Sequence, residues 1–434
     1  MGKELKKKFI GTLPQKELLK LYQKHVNSPK VLLFKSLGLG VIPAERHGIR
    51  FKTLAGRKSD DPPMEMINCR SSGGVFNLGH HNERIIQVLK DALDGGLDLG
   101  DHMLLSEWRA LLGKKLAELM PPGIIKTTFG VSGGESIDTA IKFARCVNKR
   151  KGCISAIGAY HGHTGFALAC GNSEFKDPFL WNLPEFKQVP FGDAEAMRKT
   201  VNKEVSSVIL ETIPATGGVL IAPEGYFSEV REICDENGAL LIIDEVQAGL
   251  GRTGEFWGLY GGLYPNEKVV PDFVVCGKGM SAGIYPLSTC SYKPFVEEVF
   301  KDDPFIHIST TGGSDLACAV ASEMLDIQSD PVFLKNVKEM GKMFGNGLKQ
   351  IAEENSELVK DVRGRGLMWG MEFYSKEKAM LGMVSIIKEG VLNNYCGNKQ
   401  DTLILMPPLI VNKDDVKEII EKVSKGVATL KKLK

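Results

Sequence analysis

Three ionisable side chains stand at the ends of short apolar runs. Residues 205–210, 239–243 and 273–276 contain no Asp, Glu, Lys or Arg, and they lead to Glu211, to Asp244 and, through Gly277, to Lys278. Such runs suit strands of a parallel sheet covered on both faces. In open α/β sheets ligands bind beyond the carboxyl ends of the strands, so the three charges are expected to meet in one crevice. An acid at the end of a buried strand is costly unless a cation or donor faces it, and a protonated pyridine nitrogen would serve Asp244; an Asp capping the following turn fits the same residues. Lys278, between two glycines, is a candidate amine whose pKa desolvation would lower for imine chemistry, although most single lysines are surface charges.

Two further stretches complete the candidate chemistry. In Thr128-Phe129-Gly130-Val131-Ser132-Gly133-Gly134-Glu135 the glycines let backbone approach an anion, and the helix pattern that follows supplies partial positive charge at its start. A phosphate would fit; a plain strand-to-helix turn would read the same, and the spacings of a nucleotide P-loop and of a dinucleotide fingerprint are absent. Tyr160-His161-Gly162-His163 follows an apolar run, so its aromatic ring is placed to stack on a flat ligand or to fill a core. A His pair two residues apart with no nearby carboxylate or thiolate is a poor metal site, and no metal is expected.

The elements that must position these residues follow from the wider pattern. From about residue 105 helical periods alternate with apolar runs, which indicates βαβ units. Residues 331–355 read as a long amphipathic helix, 361–373 as strand-like around Arg363 to Gly366, and 413–433 as a closing helix. Turn signals fall at 38–40 and 60–63. The 434 residues, 43% apolar and 25% charged, describe a large globular chain. Fifty-five basic against 53 acidic residues leave +2, which offers no broad attraction to nucleic acid or to a membrane. Residues 152–173 lack charge over a bilayer-spanning length, but five glycines, His161, His163 and Asn172 suit a buried strand and loop. The Lys6-Lys7-Lys8 cluster reads as a solvated helix face, and nine cysteines without a Cys-x-x-Cys pair point to a reducing cytoplasm.

Taken together and in this order, Ser132-Gly133-Gly134, Tyr160-His161-Gly162, Glu211, Asp244-Glu245-Val246-Gln247 with Gly251-Arg252-Thr253-Gly254, and Lys278 resemble the class III pyridoxal-phosphate aminotransferases. Asn77-Leu78-Gly79-His80, residues 310–314, Arg363-Gly364-Arg365-Gly366-Leu367-Met368 and Pro407-Pro408-Leu409 extend the likeness over most of the chain. The resemblance implies an α/β chain of the fold type I class of pyridoxal-phosphate enzymes: a large domain, 76–320, with a mostly parallel sheet flanked by helices, and a smaller α/β domain from both ends, 1–75 and 321–434. It implies that Lys278 forms the Schiff base with pyridoxal 5'-phosphate and later shuttles a proton, that Asp244 pairs with the pyridinium nitrogen, and that Val246 and Tyr160 pack the two ring faces. Gln247 would lie near the phenolic oxygen, His161 and Glu211 beside the site, and Ser132, Gly133 and Gly134 on the phosphate. Thr310, with Thr311 as a competing ligand, would reach the phosphate of a neighbouring subunit in a homodimer.

One departure bears on the substrate. Members that bind an α-carboxylate commonly carry Arg three residues before the Pro-Pro pair, where this chain has Ile404, so either another cation, such as Arg70 or Arg363, takes the carboxylate or the donor is an amine or ω-amino compound; a structural role fits both arginines equally. The leading expectation is an aminotransferase moving an amino group from an amino acid or amine to a 2-oxo acid by a ping-pong cycle. A racemase, epimerase or decarboxylase on the same fold would need the same lysine and acid, and a silent binding protein would not need both.

Overall fold

The computed structural model describes residues 12–56, 61–264, 267 and 269–431. The lysine cluster at 6–8, Asp60 and the last residues of the expected closing helix lie outside them.

Three strands precede the central region: β1 (Pro43–His47), β2 (Arg50–Thr53) and β3 (Glu65–Asn68). The central sheet then collects β4 (Lys126–Gly130), β5 (Gly152–Ala156), β6 (Phe186–Val189), β7 (Val205–Glu211), β8 (Leu240–Asp244), β9 (Phe273–Cys276) and β10 (Ser288–Tyr292), in the order β4-β10-β9-β8-β7-β5-β6. The run β9-β8-β7-β5-β6 is parallel, and β10 pairs antiparallel with both β9 and β4. The three charge-free runs are therefore adjacent strands. Their side chains alternate between two cores. Val208, Leu210, Leu241 and Ile243 pack with Tyr226, Phe227 and Val230 of the helix Tyr226–Asn237. Ile209, Ile242, Phe273 and Val275 pack with Ile137, Ile141 and Phe143 of the helix Gly133–Asn148. Burial on both faces is why these strands carry no charge before their ends.

The remaining strands are β11 (Val359–Arg365), β12 (Met368–Phe373), β13 (Val391–Leu392), β14 (Asn394–Cys396) and β15 (Lys399–Leu405). They form the sheet β11-β12-β15-β14, while β13 joins β3 at the edge of the N-terminal sheet. Ile49, Phe51 and Ile67 share one apolar cluster with Phe344 and Leu348 of the helix Pro331–Glu354 and with Ile419 and Val423 of the helix Lys413–Leu430. Two local expectations are corrected. Residues 361–373 are a hairpin rather than one strand, turning at Gly366 with φ +52, and residues 152–173 include a short helix, Gly165–Ala169.

Sequence-distant landmarks meet at one buried cation. The Arg252 side chain, with no exposed surface, donates to Leu367 O at 2.9 Å, Pro407 O at 2.6 Å and Asn77 Oδ1 at 2.6 Å. Burial lowers its pKa, yet guanidinium remains charged, so the carbonyl dipoles carry the charge that no carboxylate balances. Arg252→Met would strand three acceptors at once. It is expected to lower unfolding stability by at least about 3 kcal/mol, read as a fall in the urea midpoint.

Candidate active site

Glu211 and Asp244 are register partners at the ends of β7 and β8. Strand alternation turns both toward the helix Gly133–Asn148, the side on which Ile209 and Ile242 already pack. Lys278 follows β9 by two residues and carries φ +43, an uncommon backbone state for a residue with a side chain. A cavity of about 160 Å³ is lined by Gly133, Gly134, Tyr160, His161, Gly162, Glu211, Asp244, Val246, Gln247 and Lys278. All the residues expected at the site from sequence are on its wall except Ser132, Thr310 and Thr311. Ser132 caps the helix, its hydroxyl accepting from Glu135 N at 3.3 Å. Thr310 and Thr311 are exposed on a loop whose Gly312 and Gly313 lie against Phe129 of β4.

Charge in the cavity is closely arranged. Asp244, 4% exposed, receives Val246 N on Oδ1 at 2.9 Å, and its Oδ2 lies 2.8 Å from His161 Nδ1. Burial disfavours a charge on His161, but the Asp244 hydrogen bond and charge outweigh it and raise the imidazole pKa. His161 thus reaches the site through Asp244. No group of three or more metal-ligating side chains occurs among the described residues. Glu211 accepts Tyr160 N at 2.8 Å, and burial pushes its pKa up to about 7, with the Asp244 charge adding to the rise and His161 opposing it. Glu245, next to Asp244, turns away to Thr212 Oγ1 and Leu259 N. Lys278 Nζ donates to Gln247 Oε1 at 3.0 Å. Burial lowers the Lys278 pKa against the pull of Asp244 and Glu211, which favours a neutral, nucleophilic amine.

The start of the helix Gly133–Asn148 forms a further part of this cavity's wall. The first-turn N–H groups of the helix Gly133–Asn148 have no intrahelical partner. A Cβ on Gly133 would lie 3.0 Å from Val246 Cγ1, and one on Gly134 2.8 Å from Thr164 Oγ1. Gly162, at φ +127, meets Gly134 so closely that its Cβ would be 2.8 Å from the Gly134 Cα. Only glycine lets these segments pack so closely around the helix start.

A second cavity, about 320 Å³, shares Tyr160, Gln247 and Lys278 with the first and adds Arg70, Ser72, Gly73, Phe175, Ala215, Thr216, Asn394, Tyr395, Cys396, Gly397, Ile404 and Met406. Its C-terminal wall is the β14–β15 hairpin. Asn398 at the hairpin turn donates its side-chain amide to Gly158 O at 2.7 Å and Ala159 O at 3.1 Å, which fastens the hairpin beside Tyr160. Sequence reasoning missed this wall, because a hairpin some 240 residues from Tyr160 carries no local signal of its destination. Residues 71–74 were also missed; Ser71, Ser72, Gly73 and Gly74 all have positive φ, and the Gly-Gly pair was the available hint.

Arg363 is not a free cation. It lines neither cavity, donating Nη1 to Asp361 and Glu372, each at 2.6 Å, and Nε to Gly218 O at 2.8 Å. Glu372, buried yet held by Lys360, Arg363 and Lys399, has a pKa lowered to about 2 from the ordinary 4.5. Because the folded value is the lower one, the stabilisation is complete above about 4.5 and lost as pH falls toward 2. Glu372→Gln is expected to cost about 2 kcal/mol at pH 7, after allowance for solvent around the lysines. Denaturation curves of variant and wild type should converge through that acid window.

The chain matches the family model "Aminotransferase class-III" over residues 57–427. An "uncharacterized aminotransferase" of Archaeoglobus fulgidus is 44% identical over 416 residues, 96% of this chain and 95% of that one. N-acetylornithine aminotransferase from Stenotrophomonas maltophilia superposes with TM-score 0.76 at 26% identity, covering 93% of this chain and 100% of that one. The Toxoplasma gondii ornithine aminotransferase, at 22% identity, TM-score 0.86 and 97% coverage of each chain, shares the fold. Buried lysine and acid at the carboxyl ends of adjacent central strands, the glycines at the helix start and these likenesses agree: the chain belongs to the class III aminotransferase family and is an enzyme of that type.

Proposed function

We propose that the smaller cavity takes pyridoxal 5'-phosphate and that the enzyme passes an amino group from an amino acid or amine to a 2-oxo acid in two half-reactions. The observation that carries this reading is that Lys278, Asp244 and the start of the helix Gly133–Asn148 face one cavity. The residues suit the group: a buried acid beside a histidine, an amine of lowered pKa, and a helix start where glycines let the chain pack closely. When bound, the cofactor supplies the aldehyde and the electron sink for the bond broken at the donor carbon.

The chain's own groups do the rest. Lys278 Nζ holds the cofactor and, when free, carries the proton taken from the donor α-carbon. Asp244, fixed by its contact with His161, holds a proton on the ring nitrogen. Ser132, Gly133 and Gly134 hold the phosphate through the helix start, Val246 and Tyr160 pack the ring faces, and Gln247 donates to the phenolic oxygen. Thr310 and Thr311, exposed as they are, serve the neighbouring subunit of a homodimer. The described residues of the chain ends, within 1–75 and 321–434, make the smaller domain around their shared core. A cytoplasmic setting suits nine free thiols; among the described residues no helix is long and apolar enough to cross a membrane.

Incubating the cofactor-loaded protein with single amine donors should bleach the lysine-bound absorbance, and separate 2-oxo acids should restore it. Exchange of the donor α-hydrogen with solvent and loss of chirality, without bleaching, would overturn the transaminase reading.

A further inference from the structure

We propose that Arg70 is the carboxylate anchor of the larger cavity, and that donor and acceptor are monocarboxylates with uncharged side chains. The proposal rests on the transaminase reading above and assigns the substrate class that reading leaves open. The part of the cavity wall that this chain supplies has only two cations, Arg70 and Lys278, and no Asp or Glu among the described residues. Lys278 is committed to the cofactor, so a carboxylate has one partner left. Ile404, where a carboxylate-binding arginine would be expected, contributes only hydrocarbon.

Arg70 is placed for this task by an over-determined backbone. Asn68 Oδ1 accepts Arg70 N at 3.2 Å and Ser71 N at 2.9 Å, and Asn68 Nδ2 lies 3.0 Å from His80 Nε2. Ser71 Oγ donates to Met406 O at 2.7 Å. The four positive φ values after Arg70 would not persist without such ties. The guanidinium has no acidic partner among the described residues. It lines the cavity and stays exposed, neighbouring protein strips enough water to lower its pKa, and it is near enough to Lys278 to depress the amine as well. A planar carboxylate can satisfy that fork with two parallel hydrogen bonds.

Side-chain selectivity follows from the remaining wall. Phe175, Ala215, Tyr395, Ile404 and Met406 offer apolar contact. On this chain's described wall a second carboxylate would find no second cation, and a terminal ammonium no acid. Either would enter with its charge unpaired, which disfavours it far more than an extra methylene does.

The test uses the cofactor-loaded enzyme with 4-methylpentanoate, an unreactive carboxylate, titrated by calorimetry. Arg70→Met should weaken its binding by about 100-fold, and Arg70→Lys by clearly less, since lysine keeps the charge but loses the fork. In the half-reaction, the same Arg70→Met change should cut the preference for leucine over 3-methylbutylamine by about 100-fold. Undiminished 4-methylpentanoate affinity in a variant that retains the wild-type cofactor spectrum would overturn the anchor. Ornithine or glutamate outperforming leucine in the wild type would overturn the side-chain assignment. If no donor bleaches the cofactor but Arg70→Met still loses the carboxylate, the transaminase reading fails and the anchor stands.

Discussion

Lys278→Ala is expected to lower turnover by at least about 10⁴-fold, because one side chain both tethers the cofactor and moves the proton. Single-turnover absorbance with excess cofactor measures this directly, since it separates loss of chemistry from loss of binding. Cys276→Ala, two residues earlier, is the matched control. Its thiol is buried and kept protonated, and its removal should leave the rate largely intact. A Lys278→Ala enzyme as active as the wild type would remove the basis of the mechanism.

The second large effect concerns Asp244. Asp244→Asn keeps the shape and removes the charge on which His161 relies, so about a 10³-fold loss in kcat is expected. Shape conservation should preserve folding, and the Val246 N bond to Oδ1 can survive the change. The accompanying signature is a fall in the His161 pKa, because burial then acts with less opposition. Proton NMR of labelled histidine reads that shift without any substrate. An unchanged kcat with an unchanged imidazole titration would show that the pair is merely structural.

Much of the site was legible because charge at the end of a buried run is costly enough to demand a reason. Glu211, Asp244 and Lys278 announced themselves in that way, and their strands are neighbours in the sheet. The glycines at 133, 134 and 162 were legible for the complementary reason that only backbone can approach an anion closely. What escaped was long-range. Nothing near Arg252 says that it will hold Asn77, Leu367 and Pro407 together, although each lies in a stretch singled out by its own residues. The hairpin turn at Gly366 was blurred into a strand because Arg363-Gly364-Arg365 runs into it with no apolar alternation to mark the reversal. Tyr160 was read at a strand end, but β5 stops at Ala156 and Tyr160 sits four residues out on a loop, its backbone N–H held by Glu211 and its ring braced by His163 and Phe175 at 5.2 and 6.0 Å between ring centroids. Arg363 and Arg70 were equivalent on paper. The acids beside Arg363 and their absence around Arg70 separate them in space.

Borohydride reduction of the cofactor-loaded enzyme, followed by digestion and mass mapping, tests the central claim most directly. One stable pyridoxyl adduct per chain on Lys278 is the predicted result. An adduct on any other lysine, or none after full reconstitution, would contradict the account.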